Sequence, residues 1–583
     1  MDLVIRGGTI IDGSGRAPSV GDIGMVGDRI AAVGVVTARG QREIDAHGLL
    51  VTPGFVDIHT HFDGQATWDP LLAPSSLHGV TSLVMGNCGV GFAPARRGAD
   101  EHAWLISLLE GVEDIPGTAL AEGLRWDWES FPEYLDALER RKFAVDVGAQ
   151  LPHAALRVYV MGTRGADANC PARPDEIAQM QRLAVEALEA GAMGFTTSRT
   201  LVHRTRSGEH IGTYRAATDE LLGIASALRD TGRGAMQLIT DAYLLDCEQF
   251  RDDEFALLRD LARVTGRPLS FTVQQPDTVA ERWRELLAFI GAANNEGLNI
   301  KGQVAPRPIG LILGYQGSLN PFTYCPSFRA LAKLPLPALV QALREPARRR
   351  AILDEHPHIK RYLVGFDSWP WQRLFPLGDP PDYEPTPASS VEALARAQGV
   401  PAIEYTYDFL LEAAGTALLY CPLQNFAGGD LAVVREMMSF PHTVFGLSDA
   451  GAHCGVVCDA SFPTTTLALW GGKRRHGEGL PIEFLVHGLT RRNAEQVGWL
   501  DRGLLEPGLL ADLNVIDFAA LECGAPHIVH DLPAGGRRLM QEARGYRHTI
   551  KRGVVTFNDG VSTGALPGSL VRGATCASPL RAG

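Results

Sequence analysis

The stretch VTPGFVDIHTHFDG, residues 51–64, ends an apolar run on two histidines one residue apart. In a strand alternate side chains share a face, so His59 and His61 point the same way, about 6.5–7 Å apart along the chain. Two imidazoles converging at a strand end can hold one metal ion. A H-x-H pair also arises by chance among 17 histidines. The buried-strand pattern before it, punctuated by Pro53-Gly54 and followed by Asp63-Gly64, favours the metal reading.

Two further donors fall at the ends of other apolar runs. Cys88 closes VTSLVMGNCGVGF, where flanking glycines permit close backbone approach, and a thiolate is a good zinc ligand. The competing reading is a buried apolar cysteine. Asp449, in TVFGLSDAGAH, follows a strong β run and precedes His453. A carboxylate there can ligate a metal and take a proton from water as a general base, whereas an ordinary Asp after a strand caps a turn or helix.

These residues need a frame that brings strand ends together. Eight apolar runs alternate with amphipathic helical stretches across 51–500: GLLVTPGFVDIH, VTSLVMGNC, AVDVGAQLPH, AMGFTTS, GAMQLIT, PLSFTVQQ, NIKGQVAP and HTVFGLSD. That βαβ rhythm implies an α/β fold with a parallel sheet, and eight units imply a (β/α)8 TIM-like barrel with chemistry at the C-terminal strand ends. Residues 1–50 and 501–583 read instead as short strands and turns, and are expected to form one small β-sandwich from both termini. A Pro- and aromatic-rich stretch at about 320–435 interrupts the rhythm before the eighth strand, as an insertion expected to act as a lid.

Composition excludes several classes. At 45% hydrophobic and 21% charged residues the chain is an ordinary globular one, and a net charge of −13 with no basic stripe argues against nucleic acid as a partner. No run reaches 18 apolar residues and the N-terminus lacks a signal pattern, so no membrane partner is expected, and the expected location is cytoplasmic. Nine scattered cysteines fit reduced thiols. A homo-oligomer is left open.

The H-x-H after the first strand, Asp449 after the eighth and the closing TRRNAEQVGWLDRGLLEPGLLADLNVIDF resemble the amidohydrolase superfamily. GNCGVGF with Cys88 and PHAALR around His153 are similar to its N-acyl-D-amino-acid deacylase (D-aminoacylase) branch. The resemblance spans nearly the whole chain and implies amide hydrolysis by metal-activated water. It is incomplete at two strands. The family carries metal-binding histidines after strands five and six, where this chain has GAMQLITDA and PLSFTVQQPD, offering Gln237, Thr240, Asp241, Thr272 and Gln274. The superfamily's strand-four lysine is also missing from GFTTSRTLVHR.

The simplest remaining site is one divalent ion, zinc by its donors, held by His59, His61 and Asp449 with Cys88 close enough to join. His203 could swing in. Arg307 after strand seven, or Arg199 after strand four, would grip a substrate carboxylate, and His453 would position substrate. His153 would polarise the scissile carbonyl. The alternatives are a cyclic-amide hydrolase of the dihydroorotase or hydantoinase kind, and a metal-depleted barrel that only binds a small acid.

Overall fold

In the computed structural model, which describes residues 1–359 and 368–575, all eight runs become strands of one parallel barrel. They are Phe55–Thr60, Val80–Met85, Asp146–Ala149 with Leu151–Pro152, Gly194–Arg199, Ala235–Thr240, Leu269–Thr272, Ile300–Val304 and Thr443–Phe445. Every neighbouring pair runs parallel. Strand three is broken at Gln150: its first half pairs with strand two, its second with strand four. The barrel closes where Thr60 bridges Ala450 and the His61 N–H donates to the Ala450 carbonyl at 2.7 Å. Strand one is buried throughout, as expected of a strand with helices outside and side chains filling the barrel inside.

The run GLLVTPGFVDIH is two strands rather than one. Leu50–Pro53 pairs antiparallel with Leu513–Ile516 in the terminal β-domain, and Phe55–Thr60 enters the barrel. Gly54 is the joint, packed so closely on strand two that an added Cβ would lie 2.2 Å from Thr81 Oγ1. The terminal domain is one nine-stranded sheet that branches at Leu3–Ile10, which pairs with Arg42–Asp45 at one end and Leu50–Pro53 at the other. Both wings pack on a shared core that includes Ile5, Ile23, Val51, Leu513 and Ile550.

Parts of 501–583 depart from that sheet, among them the short pair Glu522–Cys523/Ala543–Arg544. The hairpin His527–Leu532/Gly536–Met540 crosses to the barrel mouth, where the Leu539 N–H donates to the Cys454 carbonyl at 2.6 Å. Further on, Gly568 and Leu570 bridge Phe143 and Val147 at the opposite end. The insertion before strand eight begins earlier than expected. It builds a three-stranded antiparallel sheet from Ile309–Leu313, Phe375–Pro376 and Leu419–Gln424, with a separate core around Phe322, Tyr407 and Leu419. It rests on the loops after strands six and eight, through Pro276 with Gln424 and Ile312 with Val456. Its residues 360–367, like 576–583, lie outside the described residues. Among the described residues no helix is long and apolar enough to cross a membrane.

Candidate metal centre

His59 is the last residue but one of strand one and His61 the first beyond it, so both side chains reach the barrel mouth. Barrel closure through Ala450 draws the preceding Asp449 over them. Asp449 Oδ1 lies 3.1 Å from His59 Nε2 and 3.7 Å from His61 Nε2, and Cys88 Sγ lies 3.3 Å from His59 Nε2. One donor atom from each of His59, His61 and Cys88 falls within 4.8 Å of the others, and all three residues are buried. Cys88 (φ 54°) and Asp449 (φ 45°) both hold left-handed backbone, as does His453 (φ 51°). Three such residues around one cluster are the strained conformations that functional sites store, held by surrounding structure.

Neighbours aim each donor. The His59 Nδ1–H donates to Gln303 Oε1 at 2.6 Å, leaving the Nε2 lone pair facing the cluster. The Gln303 amide is itself fixed by donating to Ser270 Oγ at 2.9 Å. His61 Nδ1 faces Glu113 Oε1 at 3.3 Å, and among the described residues neither atom has another partner. Glu113 also lies 3.7 Å from His453 Nε2 through its other oxygen. The Cys88 N–H donates to Gln237 Oε1 at 2.8 Å, and the Gly86 N–H to Asp63 Oδ2 at 3.0 Å, which holds the cysteine turn.

The electrostatics of this cluster call for a cation. Burial alone would depress the His59 imidazole, yet Cys88 and Asp449 outweigh it and raise its pKa to about 10. His61 is likewise raised against burial, chiefly by Glu113. Burial opposes ionisation of Cys88 and Asp449, but the two imidazoles pull both downwards, Asp449 well below the usual carboxylate range. The Asp449 carboxylate and the Cys88 sulfur thus favour protons on imidazoles whose ring positions suit a metal. A divalent ion fits the converging N, N, S donors of His59, His61 and Cys88, with the Asp449 oxygen beside the two imidazoles, and its binding would displace those protons.

Residues 42–557 match the amidohydrolase family. The chain belongs to that family. It is 35% identical to a D-aminoacylase of Alcaligenes xylosoxydans xylosoxydans over 232 residues, 40% of this chain and 43% of that protein. An N-acyl-D-glutamate deacylase of the same organism is 38% identical over 202 residues, 34% of this chain and 37% of the relative. The chain therefore spans less than half of the length of these two relatives. An uncharacterized Mycobacterium tuberculosis protein is 27% identical over 547 residues, covering 88% of this chain and 84% of the other. In fold, the amidohydrolase resembles the solved N-acyl-D-glutamate deacylase of Bordetella bronchiseptica, with a TM-score of 0.64 at 22% identity over 98% and 99% of the two chains.

Three other residues expected at this amidohydrolase's site are engaged elsewhere. His153 opens the helix His153–Met161, where the chain turns outward after Pro152. Its Nδ1 is bonded to Thr197 Oγ1 at 2.8 Å and its Nε2 to Glu220 Oε1 at 3.0 Å, so neither nitrogen is left to polarise a carbonyl. Arg199 turns to the helix Glu248–Thr265, where Glu254 takes its Nε at 3.0 Å and an Nη at 2.6 Å. Arg307 is wholly buried, 2.8 Å from Asp459 and 3.7 Å above the Tyr383 ring. Both guanidiniums are committed to protein carboxylates and leave none of their charge for a substrate. His453 does sit at the rim, with its side chain 30% exposed. His203 packs nearby, bonded through Nδ1 to Ser198 Oγ at 2.8 Å, and burial keeps it neutral with a pKa lowered to about 4.

Glu113 and Gln303 were not visible as site residues in the sequence, and Gln237 stood out only as a weak donor in place of a strand-five histidine. Glu113 caps the end of helix Ala99–Val112, and the two glutamines lie mid-strand among apolar residues, with no motif around any of them. The cavity bordered by Asp449, Gly451, Cys454 and Leu539 measures only about 20 Å³. A larger one of about 230 Å³, lined by Tyr383, Lys473 and Cys523 among others, shares no residue with the metal cluster.

Proposed function

We propose that this amidohydrolase hydrolyses the amide of an N-acyl amino acid, using one divalent ion, zinc, held by His59, His61, Cys88 and Asp449. The observation that carries the reading is the convergence of His59, His61 and Cys88 at the barrel mouth, with Asp449 against both imidazoles. Supporting it, two relatives are named for removing acyl groups from D-amino acids. One D-aminoacylase of similar fold is described as activated by one metal and attenuated by a second.

When bound, a divalent ion supplies Lewis acidity to the carbonyl and acidifies a water. Asp449 accepts the proton of the attacking water on its carboxylate and returns it to the leaving amine. Gln303 and Glu113 hold the two imidazoles in the orientation that this requires, and Cys88 contributes its thiolate. His453 faces substrate from the rim. A cytoplasmic setting suits a catalytic thiolate, since reducing conditions keep it unpaired.

Elemental analysis of the purified protein, followed by a panel of N-acyl D- and L-amino acids with and without added zinc, tests the reading. About one zinc per chain and zinc-dependent release of amino acid are expected. Absence of bound metal would favour a barrel that only binds a small acid, and cleavage of cyclic amides alone would overturn the deacylase assignment.

A further inference from the structure

Asp449 is presented to the metal cluster by a stretch of backbone that needs outside support. Leu447 (φ 63°), Asp449 (φ 45°) and His453 (φ 51°) are left-handed without being glycine, a conformation that persists only where the surroundings fix it. On the C-terminal side of Asp449 the support is backbone: Ala450 bridges Thr60 and accepts from the His61 N–H at 2.7 Å. On the N-terminal side it is a side chain. The Ser448 hydroxyl lies 2.6 Å from Asp57 Oδ2 and 2.9 Å from the His59 carbonyl, both on strand one.

Asp57 joins the two arms of the site. Its other oxygen accepts from the His59 N–H at 3.2 Å, so one carboxylate holds a donor histidine by its backbone and the residue before Asp449 by its hydroxyl, across 391 positions of chain. Strand alternation puts Asp57 on the same side as His59 and His61, one layer deeper in the barrel. It is buried, and among the described residues no Lys or Arg is in contact with it. A carboxylate is a costly filler for a barrel layer, and both hydrogen bonds of this one go to groups that place metal donors. An asparagine would turn one oxygen and one NH2 group towards the same two donors.

We infer that Asp57 and Ser448 are positioning residues of this enzyme, a buried clasp that sets Asp449 against His59. The inference rests on the metal-centre reading, and its consequence for turnover rests on the deacylase reading as well. Releasing Ser448 frees the 447–449 backbone to leave the left-handed region and carry the Asp449 carboxylate away from the imidazoles. The base would then be present but misplaced.

The test uses the purified protein loaded with cobalt, since Co2+ takes the same donors as zinc and its visible absorption reports their geometry. S448A should shift that absorption and lower kcat on the N-acyl amino acid panel by roughly 10²-fold, the cost of misplacing a reacting group by about 1 Å. Its cobalt content, KM and thermal midpoint should stay near those of the parent protein. D57N should lower kcat similarly, D57N/S448A no further than the worse single variant, and S448T, which keeps the hydroxyl, should fall between S448A and the parent. S448A removes one hydroxyl, so it decides the matter even where D57N does not fold. Unchanged absorption and kcat in S448A, losses that multiply in the double variant, or a fall in kcat that only tracks a fall in thermal midpoint would overturn the clasp. A shifted absorption in a protein that cleaves no member of the panel would sink the deacylase reading alone, and a parent protein that takes up no cobalt would overturn the metal centre and the clasp together.

Discussion

Buried charge gathers at both ends of the barrel, and the two clusters differ in whether the protein alone can balance them. At the base, Asp146 opens strand three and meets Lys551 at 2.7 Å, Arg502 at 2.9 Å and Arg552 at 3.0 Å. Asp512 and Asp501 complete the set, 2.7 Å from Lys551 and 2.9 Å from Arg502 respectively. Every member has an opposite charge in contact, so the cost of burial is met within the fold and the cluster clasps barrel and terminal sheet together. At the mouth, among the described residues, Cys88, Asp449 and Glu113 are in contact with two buried imidazoles and the rim histidine His453 and with no Lys or Arg. The same strands carry a self-sufficient ion network at one end and one that needs an outside cation at the other. Chemistry is expected at the second.

Breaking the mouth should abolish turnover and spare the fold. Asp449→Asn keeps the shape of the side chain but removes the proposed proton acceptor, so kcat should fall by roughly 10³-fold, within the range of a lost general base. Metal content should remain near that of the parent protein, because three donors persist. Full activity in this variant would end the base assignment.

Breaking the base should do the reverse. Asp146→Asn leaves Arg502, Arg552 and Lys551 around a neutral amide, and the cost of stranding buried charge is about 3–5 kcal/mol. A lowered thermal midpoint with unchanged zinc stoichiometry is the expected pair of readings; loss of zinc without loss of stability would contradict the contrast. Acid provides a milder version. Burial would raise the Asp146 pKa, but Lys551 and the two arginines hold it well below the usual carboxylate range. A depressed folded pKa gives stability that is complete above the unfolded value near 4 and lost as pH falls through the folded one. Between about pH 8 and about pH 6 the base should therefore contribute a constant amount, measurable as no Asp146-dependent change in midpoint.

How legible these clusters were in the sequence follows from where their members lie. All eight barrel strands stood out because parallel strands buried on both faces read as continuous apolar runs between turn residues. His59, His61, Cys88 and Asp449 stood out because each ends such a run, and closure of the barrel then brings those ends together. The partners did not. Glu113 reaches His61 from a helix end, and Gln303 reaches His59 across 244 positions with a neutral side chain that carries no metal signature. The arginines misled for a related reason: Arg199 and Arg307 do follow strands four and seven, but Glu254 and Asp459, supplied by other elements, claim them. The base cluster joins strand three to residues past 500, a pairing that only the tertiary fold reveals.

The finest comparison lies within the mouth, between its two histidines. His59 is backed by a neutral amide, Gln303, and His61 by a carboxylate, Glu113. A carboxylate behind an imidazole raises its basicity and strengthens it as a ligand, where an amide only orients it. Glu113→Gln should make the two supports alike, and the expected cost is about 10–100-fold in zinc affinity, the usual effect of losing such a partner. Competition with a chelating dye would measure it. Gln303→Glu should act in the opposite direction if charge is what matters, tightening zinc while adding a buried anion that the cation must offset. If both substitutions weaken zinc equally, the two supports serve by shape alone, and the negative charge of Glu113 would belong to His453 and the rim rather than to the metal ligands.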